Sequence, residues 1–274
     1  MPPITIITPK DSFFGVGLGE LWEYRELFYI LVWRNIKIRY KQTVLGIGWV
    51  LFQPVVTTII FSIFFGKIAK IPSDGIPYPL FSYLGLVFWN FFSASIVNAS
   101  GSVVTMGSII QKVYFPRLII PISAVLTCSL DFVVSLIPVG FMLFYFQIVP
   151  NINLIYILPL CFMIVLTASS GLGLFLSALN VKYRDVGYVV PFFIQIGIFV
   201  TPVIYPLSVI YDYRKLLIML NPLTGVIENF RSSVTNTGSI NYSLLSISLA
   251  GALVLLIVGQ MYFRHMEKVF ADVV

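Results

Sequence analysis

The sequence predicts an all-α integral membrane protein with six transmembrane helices, and three observations support this fold class. First, 58% of the 274 residues are hydrophobic, 10% are charged and the mean hydropathy is +0.96. Soluble domains carry roughly 25% charged residues, so much of this surface must face lipid. Second, apolar stretches of about 20 residues, enough for a helix to cross a bilayer, recur along the chain. Third, Asp131 is the single charged residue within them, as expected if a charge in the bilayer costs several kcal/mol.

The chain begins with a predicted N-terminal tail, residues 1–19, and a predicted cytoplasmic interfacial helix, residues 20–41. On a helix, Trp22, Tyr29 and Trp33 share one face while acidic and basic residues share another, which favours a position along the membrane surface. A soluble helix packed against a partner is the alternative. Residues 42–274 form the membrane domain, with spans at residues 47–66, 79–101, 118–146, 152–179, 186–206 and 242–263.

Basic residues predict the orientation of the spans. They concentrate before the first span, between the second and third, between the fourth and fifth, and after the sixth. The positive-inside rule then places both termini in the cytoplasm, with Lys67 and Lys70 as contrary evidence. The net charge of +6 is explained by this orientation, and we expect no nucleic-acid partner.

Two connections between spans have structure of their own. Residues 108–114 can make two helical turns that Pro116 ends, which predicts a cytoplasmic peg for docking another protein, with a plain turn as the alternative. On the other side, residues 216–220 and 225–230 are short helix candidates separated by Asn221 and Pro222. They are too short to cross, so they predict a re-entrant pair, with a surface hairpin as the alternative.

Within the spans, Asp131 must face the bundle interior. A structural, hydrogen-bonded role is favoured over a proton relay because no second ionisable group occurs in any span. Small residues at Ser169, Gly173 and Ser177 allow a close helix contact, either inside the protomer or between subunits. Aromatic residues make up 16% of the chain and suit either sugar stacking or lipid contact.

An enzyme is not indicated. The single histidine, His265, follows the last span, which excludes a histidine-based metal site or a Ser-His-Asp triad inside the membrane. Gly46 and Gly48 lack the third glycine of a dinucleotide loop, and no phosphate loop precedes Lys67. Any energy for uphill transport must therefore come from another chain.

Four motifs stand in order along the chain: RYKQTVLGIGWVLFQP at the first span, PYPLFSYLGLVFWNFF at the second, IIQKVYFPRLIIP with a following LDF, and LNVKYRDV before the fifth. Together they resemble the transmembrane subunit of type-2 ABC exporters for polysaccharides, over nearly the whole chain beyond its first 19 residues. That family exports O-antigen, capsular polysaccharide or teichoic acid on a polyprenyl diphosphate lipid. The runner-up interpretations are a type-2 exporter of a smaller lipid or drug, and an ATPase-independent protein for lipid-linked sugars.

The resemblance implies a homodimer in the bacterial inner membrane, with two copies of an ABC ATPase that bind ATP and Mg²⁺ and no cofactor on this chain. It implies a coupling helix to the ATPase made of Ser108, Ile109, Ile110, Gln111, Lys112, Val113 and Tyr114. It also implies a periplasmic gate that includes Leu216, Asn221, Pro222 and Phe230.

The same resemblance suggests which residues meet the substrate. We expect a channel wall of aromatic side chains, namely Trp49, Phe52, Phe88, Trp89 and Phe199. Arg39 and Lys41 are positioned to attract the diphosphate of the lipid carrier, although ordinary positive-inside anchoring explains them equally well.

Overall fold

The protein is seen in a computed structural model that describes residues 22–41, 46–211, 213–235, 239–268 and 270. Within these ranges every regular element is a helix, which confirms the all-α prediction. The predicted tail, residues 1–19, lies outside the described residues. The helices are α1 Arg25–Tyr40, α2 Gly48–Phe61, α3 Tyr78–Thr105, α4 Gly107–Ile110, α5 Ile119–Phe146, α6 Leu154–Lys182, α7 Val186–Val200, α8 Tyr213–Met219, α9 Pro222–Thr235 and α10 Tyr242–Glu267.

Five candidate membrane spans are present in the described chain. They are the helices α3, α5, α6 and α10, and α2 together with the π-helix Ser62–Ile68 that continues it. The fifth predicted span, residues 186–206, is shorter than expected. Its helix α7 has 15 residues, about 22 Å at 1.5 Å per residue, against a hydrocarbon core of about 30 Å. The count of six spans therefore stays a prediction.

Helix α7 ends where the backbone changes conformation. Thr201 is extended, with ψ of 140°, and Pro202 has no amide hydrogen with which to continue the helical ladder. Prolines occur both inside the helices and beyond their ends. Pro54, Pro138 and Pro191 lie inside helices, whereas Pro202 lies just beyond one.

Helix α3 is the centre of the bundle. Helices α5, α6, α7 and α9 pack against it, and its residues 80–89 are all buried. Phe88 packs edge-on against Phe230 of α9 with ring centroids 4.9 Å apart, and its ring is tilted against Phe132 of α5 at 5.2 Å. Apolar surface gives little drive for helix association in lipid, so close packing of this kind holds the helices together. Each aromatic pair adds about 0.5–1.5 kcal/mol.

Glycines bring two of the long helices into backbone contact. A Cβ added at Gly259 of α10 would overlap the carbonyl of Gly171 on α6, and the added Cβ of Gly171 would overlap the backbone at Leu255. Gly173, in the small-residue series of α6, faces the Cβ of Ala99 on α3. Its close helix contact is therefore internal to the protomer.

One end of the bundle, here called the terminal end, is formed by α1, α4 and the last turn of α10. Leu31 of α1, Ile110 of α4, Phe115 and Phe263 are buried together in one apolar cluster. This terminal cluster joins α1 to α4, to the start of α5 and to the end of α10.

The opposite end, here called the hairpin end, carries α8 and α9. The amide Nδ2 of Asn221, in the turn between them, donates to Oγ1 of Thr201 at 2.9 Å, and Pro222 lies against Gly251. Gly251 is the tenth residue of α10, about 14 Å from its start. Helix α9 then returns to the loop before α6, where the Asn151 amide donates to the Ser233 carbonyl at 3.0 Å.

Candidate functional site

A lateral groove runs along α3, between it and α1, α2, α5 and α7. Two adjoining cavities of about 460 Å³ each form it, and both are lined by Arg39, Val97 and Asn98. The groove follows α3 from Thr105 at the terminal end to Val87, past Asn90 in mid-helix. This length is about 27 Å at 1.5 Å per residue.

Side-chain amides line the inner part of the groove. Asn90 and Asn98 come from α3, Gln53 from α2 and Gln195 from α7. Asn98 donates to the thiol of Cys128, with 3.5 Å between Nδ2 and Sγ. Within the described chain, the amides of Asn90, Gln53 and Gln195 make no side-chain hydrogen bond. An amide without a partner costs roughly 2–7 kcal/mol in an apolar medium, so this face suits water or a polar ligand rather than lipid tails.

An ion pair closes one wall of the groove. Nη1 of Arg39 lies 2.8 Å from Oδ2 of Asp131, and the hydroxyl of Tyr40 donates to the other carboxylate oxygen. Asp131 is the thirteenth residue of α5, about 18 Å along that helix. The end of α1 therefore approaches the bundle interior, so this helix does not lie wholly along a surface as the interfacial prediction has it. The interfacial position of its first turns stays a prediction.

The protonation states at this pair follow from its surroundings. Burial raises the pKa of Tyr40, and its hydrogen bond to Asp131 raises it further. Burial lowers the pKa of Arg39, but the Asp131 carboxylate raises it, and the net shift is upward. Tyr40 is thus neutral and Arg39 charged at pH 7. The guanidinium assigned to the lipid diphosphate is paired with Asp131 here, whereas Lys41 is exposed.

The five aromatic residues expected to form the channel wall do not share one surface. Trp49 lines the groove, and Phe52 stacks edge-on against it with ring centroids 5.5 Å apart. Phe199 is exposed on α7. Phe88 is 0% exposed inside the core, and Trp89 is buried against Gly197 of α7. For Phe88 and Trp89, the expected contact with a substrate does not fit this protomer, because neighbouring helices already cover their rings.

The peg at the terminal end is shorter than expected. Helix α4 covers Gly107–Ile110, a single turn, where two turns over residues 108–114 were predicted. The turns that follow expose Gln111, Lys112, Val113 and Tyr114, while Ile110 and Phe115 are buried in the terminal cluster. Tyr114 is 79% exposed. The peg therefore presents an apolar and basic tip on a buried base.

A buried arginine fixes α9 at the hairpin end. Arg231 is 2% exposed, and its guanidinium donates to the carbonyls of Phe81 at 3.2 Å, Pro202 at 2.8 Å and Val203 at 2.8 Å. It also lies 3.5 Å from Glu228 and over the ring of Phe81. Burial lowers its pKa to about 10, which leaves it charged at pH 7.

The residues expected to form the gate belong to α8, α9 and the turn that joins them. Phe230 is buried, Asn221 and Pro222 form the turn between α8 and α9, and Leu216 is exposed on α8. The two cavities extend along α3 as far as Val87 and, among the described residues, include none of α8 or α9, while Phe230 of α9 packs against Phe88 on the buried half of α3.

Sequence reasoning missed the amides and Arg231. A signal existed for two of the amides. Asn90 and Asn98 are eight residues apart, which places both on one face of a largely apolar helix. No comparable signal marks Arg231, which lies in the connection between the fifth and sixth predicted spans. Its burial depends on the tertiary position of α9.

Comparison with known proteins gives consistent matches. Residues 26–235 match the family described as ABC-2 type transporter. The chain is 28% identical over 257 residues to the O-antigen export system permease protein RfbA of Klebsiella pneumoniae, covering 94% of this chain and 97% of that protein. The Myxococcus xanthus protein of the same name is 29% identical over 256 residues, covering 92% and 97%. The polysialic acid transport protein KpsM of Escherichia coli is 24% identical over 248 residues, covering 86% and 91%.

Proposed function

Since this chain belongs to the ABC-2 type transporter family, we propose that it is the channel-forming permease of an ATP-driven exporter of polyprenyl-diphosphate-linked polysaccharide. In this proposal it lies in the bacterial inner membrane with both termini in the cytoplasm, and a partner ABC ATPase in two copies hydrolyses ATP with Mg²⁺. The terminal end of the bundle is then cytoplasmic and the hairpin end periplasmic.

The lateral groove is the observation that carries the proposal. It places side-chain amides and the Arg39–Asp131 pair among apolar residues at the depth of the predicted spans, and it lies on the side of the protomer rather than through it. A second copy facing this side would convert two grooves into one enclosed channel, which supports a homodimer. Trp49 adds an aromatic surface on which sugar rings can slide.

The exposed peg supports a role in coupling. Val113 and Tyr114 extend from the protein surface, whereas Ile110 and Phe115 anchor the peg in the terminal cluster. An ATPase that binds the tip can thus move the cluster, and Leu31 of α1 with it. In this role Ser108, Ile109, Gln111 and Lys112 complete the docking surface.

The hairpin end supports a gate. Contacts of Pro222 with Gly251, about 14 Å along α10, favour a re-entrant path for α8 and α9. Phe230 of α9 packs on Phe88 of α3, and Arg231 holds α9 to the carbonyl of Pro202 just beyond α7. Opening then requires the hydrogen bonds of Arg231 to break. Leu216 and Asn221 would move with the same segment.

The lipid diphosphate would arrive at the cytoplasmic mouth of the groove. Arg34 lines this mouth, whereas the exposed Lys41 follows the end of α1 beyond Arg39 and does not line the groove. Arg39 becomes a phosphate ligand only if it exchanges the Asp131 carboxylate for a phosphate oxygen, since both anions use the same guanidinium donors.

Gene deletion with complementation tests the function. Loss of the chain should leave lipid-linked polysaccharide in the cytoplasm and remove it from the cell surface, and the intact gene should restore export. The partner ATPase should co-purify with the chain. Normal surface glycan in the deletion strain, with loss of resistance to an exported drug or small lipid, would favour the runner-up substrate instead. Export that persists without any ATPase would contradict the ABC mechanism.

A further inference from the structure

We propose that the groove selects uncharged glycans, whose hydroxyl groups pair with its amides, and discriminates against glycans that carry carboxylates. This inference rests on the proposed export function and adds the chemical class of the sugar chain. It is drawn from the groove between Asn98 and Asn90, here called the amide segment, with Gln53 and Gln195 facing it.

The charges along the groove are few, and among the described residues its inner cavity holds only the Arg39–Asp131 pair. Among the groove-lining residues that the structure describes, Arg34, Arg39 and Asp131 are charged. Arg39 and Asp131 neutralise each other at 2.8 Å. Arg34 lies at the terminal end, where its Nη2 donates to Sδ of Met106 at 3.5 Å. A carboxylated sugar that passes Asn98 therefore meets no unpaired cation in the amide segment.

A missing cation matters because the amide segment lies at membrane depth. Asn90 is the thirteenth residue of α3, which has 28 residues, so it lies near the middle of that span. An anion in a medium of low dielectric constant is strongly disfavoured unless a cation pairs with it. An uncharged sugar does not incur this penalty, and its hydroxyls need only hydrogen-bond partners.

The amides provide those partners. Each amide has two N–H donors and one carbonyl acceptor, which match the donor and acceptor capacity of a hydroxyl. Within the described chain, Asn90, Gln53 and Gln195 use none of this side-chain capacity. A carboxylate accepts hydrogen bonds but donates none, so the amide carbonyl oxygens stay unpaired beside it. The amide segment therefore favours hydroxyls over carboxylates on hydrogen bonding as well as on charge.

The test uses the full chain with its partner ATPase in a host that lacks its own exporter. The host makes one of two polymers on polyprenyl diphosphate, either a neutral hexose polymer or a hexuronate polymer of similar length. Surface polymer is measured by antibody and lipid-linked polymer by extraction. We expect the neutral polymer to be exported at least about tenfold more efficiently, relative to its cytoplasmic pool.

Adding a cation to the amide segment should reverse the preference. Gln195→Arg should raise the ratio of hexuronate to neutral export about fivefold. Gln53→Arg serves as a second variant on another helix. Both side chains are exposed in this protomer, so an arginine fits at either position. Gln147→Arg is the matched control. It makes the same change after the end of α5, outside the groove, and should leave the ratio unaltered. Immunoblots verify that the variants accumulate equally.

The outcomes separate the two proposals. Equal export of both polymers by the wild-type protein, or a ratio that Gln195→Arg and Gln53→Arg leave unchanged at normal abundance, overturns the selectivity while the export function stands. Export of neither polymer by an assembled complex that hydrolyses ATP counts against the export function itself.

Discussion

Replacing Arg231 tests the anchor that holds α9 against the core. The change Arg231→Met keeps the apolar stem over Phe81 but removes the donors to three carbonyls. Net stabilisation by a hydrogen bond to a charged group is about 1.5–3 kcal/mol, and removing one partner of a buried charged network costs about 3–5 kcal/mol. Glu228 retains a partner, because the Leu207 amide donates to it at 3.2 Å. We therefore expect a loss of about 3 kcal/mol.

Thermal unfolding of the purified protein measures this loss. For a chain of this size, 1 kcal/mol corresponds to about 2–4 °C, so Arg231→Met should lower the apparent Tm by about 6–12 °C. The scan rate must be fixed, since membrane proteins often unfold irreversibly. Arg214→Met, at an exposed position on α8, is the matched control and should shift the apparent Tm by no more than about 2 °C. Arg231→Lys should fall between, because a lysine ammonium can reach fewer of the carbonyls.

An apparent Tm of Arg231→Met within about 2 °C of the wild-type value, as expected for the Arg214 control, would contradict this role of Arg231. That result would mean that water or a rearranged α9 satisfies the three carbonyls at little cost. A large loss in both variants would instead point to a general effect of charge on the purified protein.

Three further changes test other contacts. Gly259→Ala should abolish stable folding because its Cβ would overlap the facing helix, whereas Gly140→Ala, in open space, should melt normally; both are measured by yield and apparent Tm. Tyr114→Ala should lower ATP-dependent export and ATPase co-purification without changing the apparent Tm, and Tyr145→Ala, equally exposed at 79%, should change neither. The pKa of Tyr40 in the folded protein is raised above the unfolded value of about 10, so Tyr40 contributes stability that is lost as pH rises above about 10. The apparent Tm of the wild-type protein should therefore fall more between about pH 9 and about pH 11 than that of Tyr40→Phe.

The sequence predicted the helices that lipid requires, since a bilayer demands long apolar stretches and the signal is strong over every residue of a span. It failed at the end of α7. Residues 201–206 are apolar enough to continue a span. Pro202 nevertheless ends the helical hydrogen-bond ladder of α7, and the Arg231 guanidinium donates to the Pro202 carbonyl. That contact joins segments 29 residues apart, and hydropathy along the chain does not register it.

The aromatic wall shows a second limit. Phe88 and Trp49 are both aromatic residues in apolar spans, yet Phe88 is enclosed by the core and Trp49 lines the groove. Which face of a helix meets its neighbours depends on packing among several helices, as the contact of Phe88 with Phe230 shows. Polar residues are more informative, because an unpaired amide in an apolar span must meet water, protein or ligand. The positions of Asn90 and Asn98 in the sequence therefore indicate the groove better than any aromatic residue does.

Helix α1 connects the peg to the groove in physical terms. Leu31 shares the terminal cluster with Ile110, and Arg39, two turns further along the same helix, pairs with Asp131 in the groove wall. A displacement of the peg must either carry α1 with it or break the packing of Leu31. If α1 moves, the 2.8 Å ion pair must stretch unless α5 follows, and stretching it exposes Arg39 to any anion in the groove. Under the proposed function, movement of the peg would thus change the charge that the groove offers to a lipid diphosphate.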